Sequence, residues 1–341
     1  RFIRQLSVRK WVWVVGSLVQ AAAIGGLGLV AFTLTGMTAG WAILGLITVF
    51  SLARGFCSVA AKDVLGKTVP KSQRGQLTGW SASAAGLVTL GVGAALLMSG
   101  SRTPDESRYA LLLAAAAATW IAGAMLYSRI REFAGETEGG GNAISEALDK
   151  IAILRTDDAF RRFVIARALL MCSALSAPYY VALGQQRLDS PAWLLGLFVA
   201  ADGLASLVSG PFWGRFADRS SERVMAVAAL VTAGTGITVA VADRTLSELV
   251  QTIWFMPLAY FVLSVAHSGV RVGRKTYVVD LASGNRRTDY VSVSNTVIGV
   301  LLLTTGVIGA VASAFSITVV IALLATMGLA GAALSMTLPK T

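Results

Sequence analysis

The sequence predicts an all-α integral membrane protein whose helices cross the bilayer many times. Hydrophobic residues make up 55% of the 341 residues and charged residues only 14%, and the mean hydropathy is +0.69. A soluble globular domain carries about 25% charged residues. The apolar residues also occur in blocks of about twenty, which is the length that a helix needs to cross about 30 Å of hydrocarbon.

Ten apolar blocks are long enough to be transmembrane helices. They do not alternate polar and apolar residues, which argues against the strands of a membrane β-barrel. The predicted spans are residues 11–33, 41–61, 80–99, 109–128, 163–184, 192–213, 224–242, 249–269, 291–312 and 317–338.

Basic residues are concentrated in alternate loops. Seventeen Lys and Arg residues lie in one set of loops and ends, and only Arg102, Arg108, Arg187 and Arg244 lie in the other set. Because the basic side of a membrane protein faces the cytoplasm, both ends of the chain are predicted to be cytoplasmic. The net charge of +11 is thereby explained as a topology signal. We expect a multi-pass protein of the cell membrane, in bacteria the inner membrane, that binds no nucleic acid.

One polar stretch divides the chain into domains. Residues 129–162 are mixed in charge and contain a glycine triplet, which is typical of a flexible linker. The predicted division is an N-terminal bundle of four spans (1–128), a cytoplasmic linker (129–162) and a C-terminal bundle of six spans (163–341). Cys57 and Cys172 lie inside spans and have no paired spacing, so no metal site and no cofactor is expected.

The two bundles repeat each other in the same orientation. The stretch "SLARGFCSVAAKDVLGK" (51–67) aligns without gaps on "SVAHSGVRVGRKTYVVD" (264–280). In nearly the same register, the opening residues Arg1 and Phe2 align on Arg215 and Phe216. Two spans precede the aligned position in the second bundle and none does in the first. We therefore expect about ten helices of a twelve-helix fold, with the first two missing.

The loop "GRFADRSSER" (214–223) resembles the signature loop of the major facilitator superfamily. That signature runs roughly Gly-x-x-x-Asp-Arg/Lys-x-Gly-Arg-Arg/Lys, and this loop departs from it at Ser221 and Glu222. With the repeat and the linker, the resemblance covers the whole chain and implies the two-bundle major facilitator fold. It also implies that the matching residues form a gating motif on the cytoplasmic side. These are Gly214, Asp218, Arg219 and Arg223.

The residue types of this loop have a physical interpretation of their own. Gly214 would let the helix end approach a neighbour closely. Asp218 precedes the next span, beside whose N-terminus the helix dipole favours a carboxylate. Arg219 and Arg223 are available to pair across the loop. The alternative is that these charges only set the topology.

Ionisable groups inside the predicted spans are candidate substrate or coupling residues, because charge in hydrocarbon is costly. Arg54 and Asp202 lie well inside spans, and His267, the only histidine, is the repeat partner of Arg54. The resemblance implies that Arg54, His267 and the helix around Tyr179 and Tyr180 line the transport cavity, with Asp202 on a flanking helix. Asp202 could instead pair with an arginine across the bundle, and Asn295 binds either a solute or a neighbouring helix.

These residues predict a secondary transporter that moves a small solute by alternating access and acts as a monomer. Asp202 would suit proton coupling, and Asp218 would belong to the gate. The chain has no Gly-x-x-x-x-Gly-Lys-Ser/Thr loop, so ATP-driven transport is not expected. Two alternatives stay open. One is a non-transporting sensor or scaffold on the same fold. The other is a polytopic membrane enzyme, although the clustered Asp or His residues of such an enzyme are missing.

Overall fold

The computed structural model describes residues 5–98, 106–135, 137, 152–188, 192–282, 284–304 and 306–340. These residues are helical apart from short connections. Much of the predicted linker, residues 138–151, lies outside the described residues. The helices with described bounds are α1 (Lys10–Thr33), α2 (Gly36–Thr68), α3 (Arg74–Met98), α4 (Glu106–Ser128), α5 (Asp158–Leu169), α6 (Cys172–Arg187), α7 (Ala192–Thr245), α8 (Ser247–Val250), α9 (Phe255–Asp280), α10 (Gly284–Leu303), α11 (Gly306–Ala314) and α12 (Ile317–Met336).

The helices account for the predicted membrane spans. By length and composition, 8 helical segments of the described chain could cross a membrane. One of them, Trp193–Thr245, has 53 residues, which is about 80 Å of helix and more than twice the hydrocarbon thickness. Its backbone leaves the helical region at Ser220 (φ −167°, ψ 85°), which separates the two spans predicted there. The span predicted at 80–99 falls on the 25-residue helix α3, which is not among the eight segments.

Two span boundaries differ from the prediction. The span predicted at 249–269 is α9, which starts later and continues to Asp280. Its extension is stabilised by packing, because Gly273 lies against Met225 and the Ser221 carbonyl of α7. The span predicted at 163–184 is interrupted at residues 170 and 171, where α5 ends and α6 begins.

The chain forms two compact units that differ from the predicted domains. Unit 1 is Arg1–Pro70, Ser101–Leu148 and Ala282–Asn295, and unit 2 is Lys71–Gly100, Asp149–Leu281 and Thr296–Thr341. Helix α3 therefore belongs to unit 2, although the sequence places it in the N-terminal half. The first part of α10 likewise belongs to unit 1. Each unit thus combines helices from both halves of the sequence.

Unit 1 is built on α1, which packs against α2 and α4. The Trp13 ring stacks on Tyr127 at 4.1 Å between centroids and lies 6.5 Å from Trp120. Large apolar side chains such as Trp41 and Leu111 are exposed on the outside of this unit. Such surfaces are suited to lipid, since apolar patches of this extent are rare in water.

Unit 2 is built on α7, which packs against α3, α9 and α12. Where α3 crosses α7, the backbones approach so closely that a methyl group in place of a glycine hydrogen would meet the opposite backbone. On α3 these positions are seven residues apart, and on α7 they are seven and three residues apart, so they lie on one face of each helix. The opposed positions are Gly79 with Gly210, Gly86 with Gly203, and Gly93 with Ala200.

Candidate functional site

The loop motif of residues 214–223 lies at one end of the α3–α7 seam. A Cβ atom on Gly214 would lie 2.7 Å from the Gly75 carbonyl oxygen, so only glycine permits this approach. The sequence predicted such a close contact, and the neighbour is the first turn of α3. Because α7 stays helical as far as residue 219, the motif forms the end of a helix before the break at Ser220.

Asp218 binds the N-terminus of α3. Its Oδ1 accepts a hydrogen bond from the Gly75 N–H at 2.6 Å, and its Oδ2 accepts one from the Gln76 N–H at 2.8 Å. The first N–H groups of a helix have no partner inside the helix and carry its positive dipole end, so a carboxylate is favoured there. The sequence had placed Asp218 beside its own next span. That placement is wrong, because the contact between Gly214 and Gly75 directs Asp218 to a different helix.

The arginines of the motif do not pair across the loop as expected. Arg219 and Arg223 are exposed, and neither forms an ion pair within the described part of the chain. The ion pair at this end of unit 2 joins Arg74, at the start of α3, to Asp280, at the end of α9. The Arg74 Nη1 and Asp280 Oδ1 atoms are 2.6 Å apart, and both side chains are largely buried. We name the contacts of Asp218 and this ion pair the latch.

Unit 1 contains a buried charge network that sequence reasoning missed. Asp63 of α2 lies 3.1 Å from Arg9 and 2.9 Å from Lys67, and Lys67 lies 3.0 Å from Glu132. Asp63 and Arg9 are each about 1% exposed. The Asp63 oxygens form no hydrogen bond of suitable geometry within the described residues. The electrostatic attraction of the neighbouring cations, more than directed hydrogen bonds, therefore holds this carboxylate in place. The sequence signal was an acid four residues before a lysine at the end of an apolar span.

Glu132 binds a helix N-terminus just as Asp218 does. Its carboxylate accepts hydrogen bonds from the backbone N–H groups of Arg9 at 3.0 Å and Lys10 at 2.7 Å, which begin α1. Arg9 aligns on Arg223 in the register of the repeat that aligns Arg1 on Arg215. The repeat therefore brings one arginine into a buried network and leaves the other exposed.

The same network reaches the first part of α10. Arg9 Nη1 donates to Thr288 Oγ1 at 2.9 Å, and the Arg287 guanidinium lies directly over Gly66 of α2. Farther along, Asn295 Nδ2 donates to Ser58 Oγ at 3.4 Å. A contact to a neighbouring helix is therefore one observed role of Asn295.

Arg54, in the middle of α2, has an aromatic partner. Its guanidinium lies over the Trp120 ring, 5.6 Å from the centroid, and the side chain is exposed at the unit surface. A ring face attracts a cation electrostatically and needs no water to do so. Trp120 is thus the partner that a guanidinium at this depth requires.

The other candidate residues lie in unit 2. His267 Nδ1 is 3.1 Å from Ser173 Oγ of α6. Asp202 is half-buried and forms no ion pair within the described residues, so the arginine partner of the alternative interpretation is not found among them. Its charge acts on the nearby Tyr260 of α9.

Tyr179 and Tyr180 differ in burial. Tyr180 is fully buried in the apolar core of unit 2, whereas Tyr179 packs partly buried against the same core. The position of Tyr180 is that of a packing side chain. Its hydroxyl finds no hydrogen-bond partner in the described chain.

Three arginines of unit 2 were not recognised as candidates. Arg271 and Arg274 had been assigned to a loop, but both lie on α9, and Arg167 lies in the last turn of α5. The signal in the sequence was their spacing from His267. Positions 267, 271 and 274 share one face of a helix.

An apolar cavity of about 510 Å³ lies between α1 and α2 in unit 1. Its lining includes Trp11, Val15, Leu52 and Phe56 and none of the candidate residues. No group of three or more His, Cys, Asp or Glu side chains that could hold a metal ion occurs in the described ranges.

Comparisons with known proteins identify the fold and match part of the chain to a family. The model of the Major Facilitator Superfamily matches residues 178–341. The proton:xylose symporter XylE has a TM-score of 0.70 at 14% identity, over 98% of this chain and 81% of its own. The fucose:proton symporter FucP of E. coli has a TM-score of 0.70 at 15% identity, over 100% and 86% of the two chains. The human organic anion transporter MFSD10 has a TM-score of 0.67 at 14% identity, over 96% and 82%.

No curated protein matches the sequence. The family match covers the second half of the chain, and the similarity of fold covers nearly all of it. The loop motif of residues 214–223 lies inside the family match, at the end of a closely packed helix pair. The protein is therefore a multi-pass, all-α membrane protein with the fold of these transporters, and its residues 178–341 match the Major Facilitator Superfamily.

Proposed function

We propose that the protein is a secondary active transporter that moves a small solute by alternating access. The observation that carries this proposal is the latch. In unit 2, polar contacts hold a helix of the N-terminal half of the sequence against helices of the C-terminal half. A carrier needs such contacts in one state and must break them in the other.

The latch is suited to reversible closure because all its contacts are polar and lie at one end of the helices. The Asp218 carboxylate accepts hydrogen bonds from both N–H groups at the start of α3; Asp218 and Gln76 are half-buried, and Gly75 is buried. Water can therefore replace each contact when the seam separates. An apolar interface of the same size would lose its burial energy on opening without such compensation.

Unit 1 supports the proposal with a second polar contact between the sequence halves. Arg9 and Gly66 of the N-terminal half meet Thr288 and Arg287 of the C-terminal half. The internal repeat relates this contact to the latch, because Arg74 aligns on Arg287 in the register that aligns residues 51–67 on 264–280. Both units thus place the start of a repeated helix in a polar contact, as expected for two bundles that rock against each other.

The orientation and location are part of the proposal. We place the protein in the cell membrane, in bacteria the inner membrane, with both ends and the latch on the cytoplasmic side. A cysteine at Ser72 should then react with a membrane-impermeant maleimide only from the cytoplasm, and one at Ser247 only from outside. Both serines are exposed, and the native Cys57 and Cys172 are buried, so the background is low. The reverse labelling pattern would overturn the orientation.

Proton coupling is assigned to Asp202. It is half-buried in α7 and has no ion-pair partner among the described residues, and a carboxylate inside a membrane span marks a proton or ion pathway more often than a structural role. Two of the similar structures are those of proton symporters, and this likeness supports the assignment. Proteoliposomes carrying Asp202→Asn should lose accumulation driven by a pH gradient and keep solute exchange. Normal accumulation with an unchanged pH profile would make Asp202 structural.

Alternating access can be tested without knowing the solute. Spin labels at Ser72 and Arg215, both exposed and beside the latch, should give two distance populations in nanodiscs, one for each state of the latch. A non-transporting scaffold would give one population that does not respond to Asp218→Asn. That result would overturn the proposal.

A further inference from the structure

One face of α9 carries a row of basic side chains. His267, Arg271 and Arg274 lie on this face, and all three are half-buried. The row extends about 10 Å along the helix, from its midpoint toward Asp280. Gly269 and Gly273, which pack against α7, lie on the opposite face. The basic row is therefore not the face that holds α9 in the core.

The break between α5 and α6 lies beside this row. Arg167 is in the last turn of α5, and Ser173, in the first turn of α6, contacts His267 at 3.1 Å. The charge of Arg274 acts on both Arg167 and His267. Three guanidinium groups and an imidazole are thus gathered beside the kink between α5 and α6.

The carboxylates of unit 2 do not neutralise Arg274, which forms no ion pair within the described residues. Three of these carboxylates have observed partners elsewhere: Asp280 pairs with Arg74, Asp243 pairs with Arg187, and Asp218 binds the start of α3. Half-buried like charges repel, and a bound counter-charge stabilises them.

We propose that Arg167, Arg271, Arg274 and His267 bind the oxyanion group of the transported solute, a carboxylate or a phosphate. This inference rests on the proposed transport function and names its substrate class. The planar guanidinium groups form paired hydrogen bonds with such oxyanions.

The position of His267 favours a soluble anion over a lipid headgroup. His267 lies inside the span predicted at 249–269, whereas lipid headgroups are bound by basic residues near the membrane surface. A soluble anion and a lipid headgroup both present an oxyanion group, so the experiment must distinguish between them.

The test uses the full chain, purified in uncharged detergent without anionic lipid. Sodium succinate and sodium phosphate are the probes, titrated at constant ionic strength with sodium chloride, and the melting temperature is followed by intrinsic fluorescence. At least one probe should raise the melting temperature saturably. Arg274→Gln should weaken that binding at least about tenfold, because it removes charge-assisted hydrogen bonds. Lys275→Gln removes the same charge from the neighbouring, exposed position and should bind as the wild type does.

Arg274→Gln also separates a binding role from a structural one. Because the cluster repels itself, the anion-free variant should melt no lower than the wild type. A large loss of anion-free stability would show that Arg274 is structural and would overturn the inference.

Other outcomes would also overturn the inference. These are no saturable effect of either probe, equal loss in Lys275→Gln, or stabilisation by cardiolipin alone. If the spin labels still report two states, such a failure concerns only the substrate class. Anion binding with a single latch distance would instead contradict transport.

Discussion

Replacing Asp218 by Asn tests whether the latch controls the conformational state. The carboxylate accepts two hydrogen bonds, at 2.6 and 2.8 Å, from backbone groups at a helix N-terminus. Asn offers one neutral acceptor, and its amide N–H₂ would face the second donor. The change therefore removes two charge-assisted bonds and restores one neutral bond.

The size of the effect follows from these contacts. A hydrogen bond to a charged group contributes about 1.5–3 kcal/mol, and a neutral one contributes about 1 kcal/mol. Asp218 is half-buried, so the lower value applies, and the net loss is about 2 kcal/mol. This corresponds to about a thirtyfold shift in the equilibrium between closed and open latch. A closed-to-open ratio of about 10:1 would become about 1:3.

The spin-label distance between Ser72 and Arg215 measures this ratio directly. Glu248→Gln is the control, because it removes an exposed acid of the same unit and should leave the distribution unchanged. If Asp218→Asn shifts the ratio by less than about twofold, the Asp218 contacts do not hold the closed state and the reasoning fails.

Two further substitutions test the packing of each unit. Gly86→Ala should destabilise unit 2 by about 1–3 kcal/mol, because its Cβ would lie 2.5 Å from a backbone nitrogen and 2.6 Å from a backbone oxygen of α7. Asp63→Asn should destabilise unit 1 by about 3 kcal/mol, because it leaves two buried cations with one fewer counter-charge. Thermal unfolding in detergent measures both effects.

Each substitution has a matched control. Gly91→Ala adds the same methyl group to α3 where no atom lies within 4 Å, so stability should stay equal or rise through helix propensity. Asp158→Asn removes a carboxylate whose pairs are about half exposed, and we expect a loss below about 1 kcal/mol. Equal effects of substitution and control would contradict the packing explanation.

The sequence by itself determined the fold class and the number of spans. Whether a segment can cross the membrane as a helix depends on its composition and its length, and both are local properties of the sequence. For the same reason the break near Ser220 was predicted as a boundary between two spans. The internal repeat and the loop at 214–223 also sufficed to indicate the family.

The partners of the site residues were decided by tertiary structure alone. The motif residue Asp218 binds the first turn of α3, more than 140 positions away in the sequence, because glycines on both helices allow their backbones to meet. Arg271 and Arg274 were assigned to a loop because charge usually marks a loop in a membrane protein. They lie on a helix because packing against α7 extends α9. Hydropathy measures what a segment can bury, whereas contacts between distant segments depend on which backbones come together.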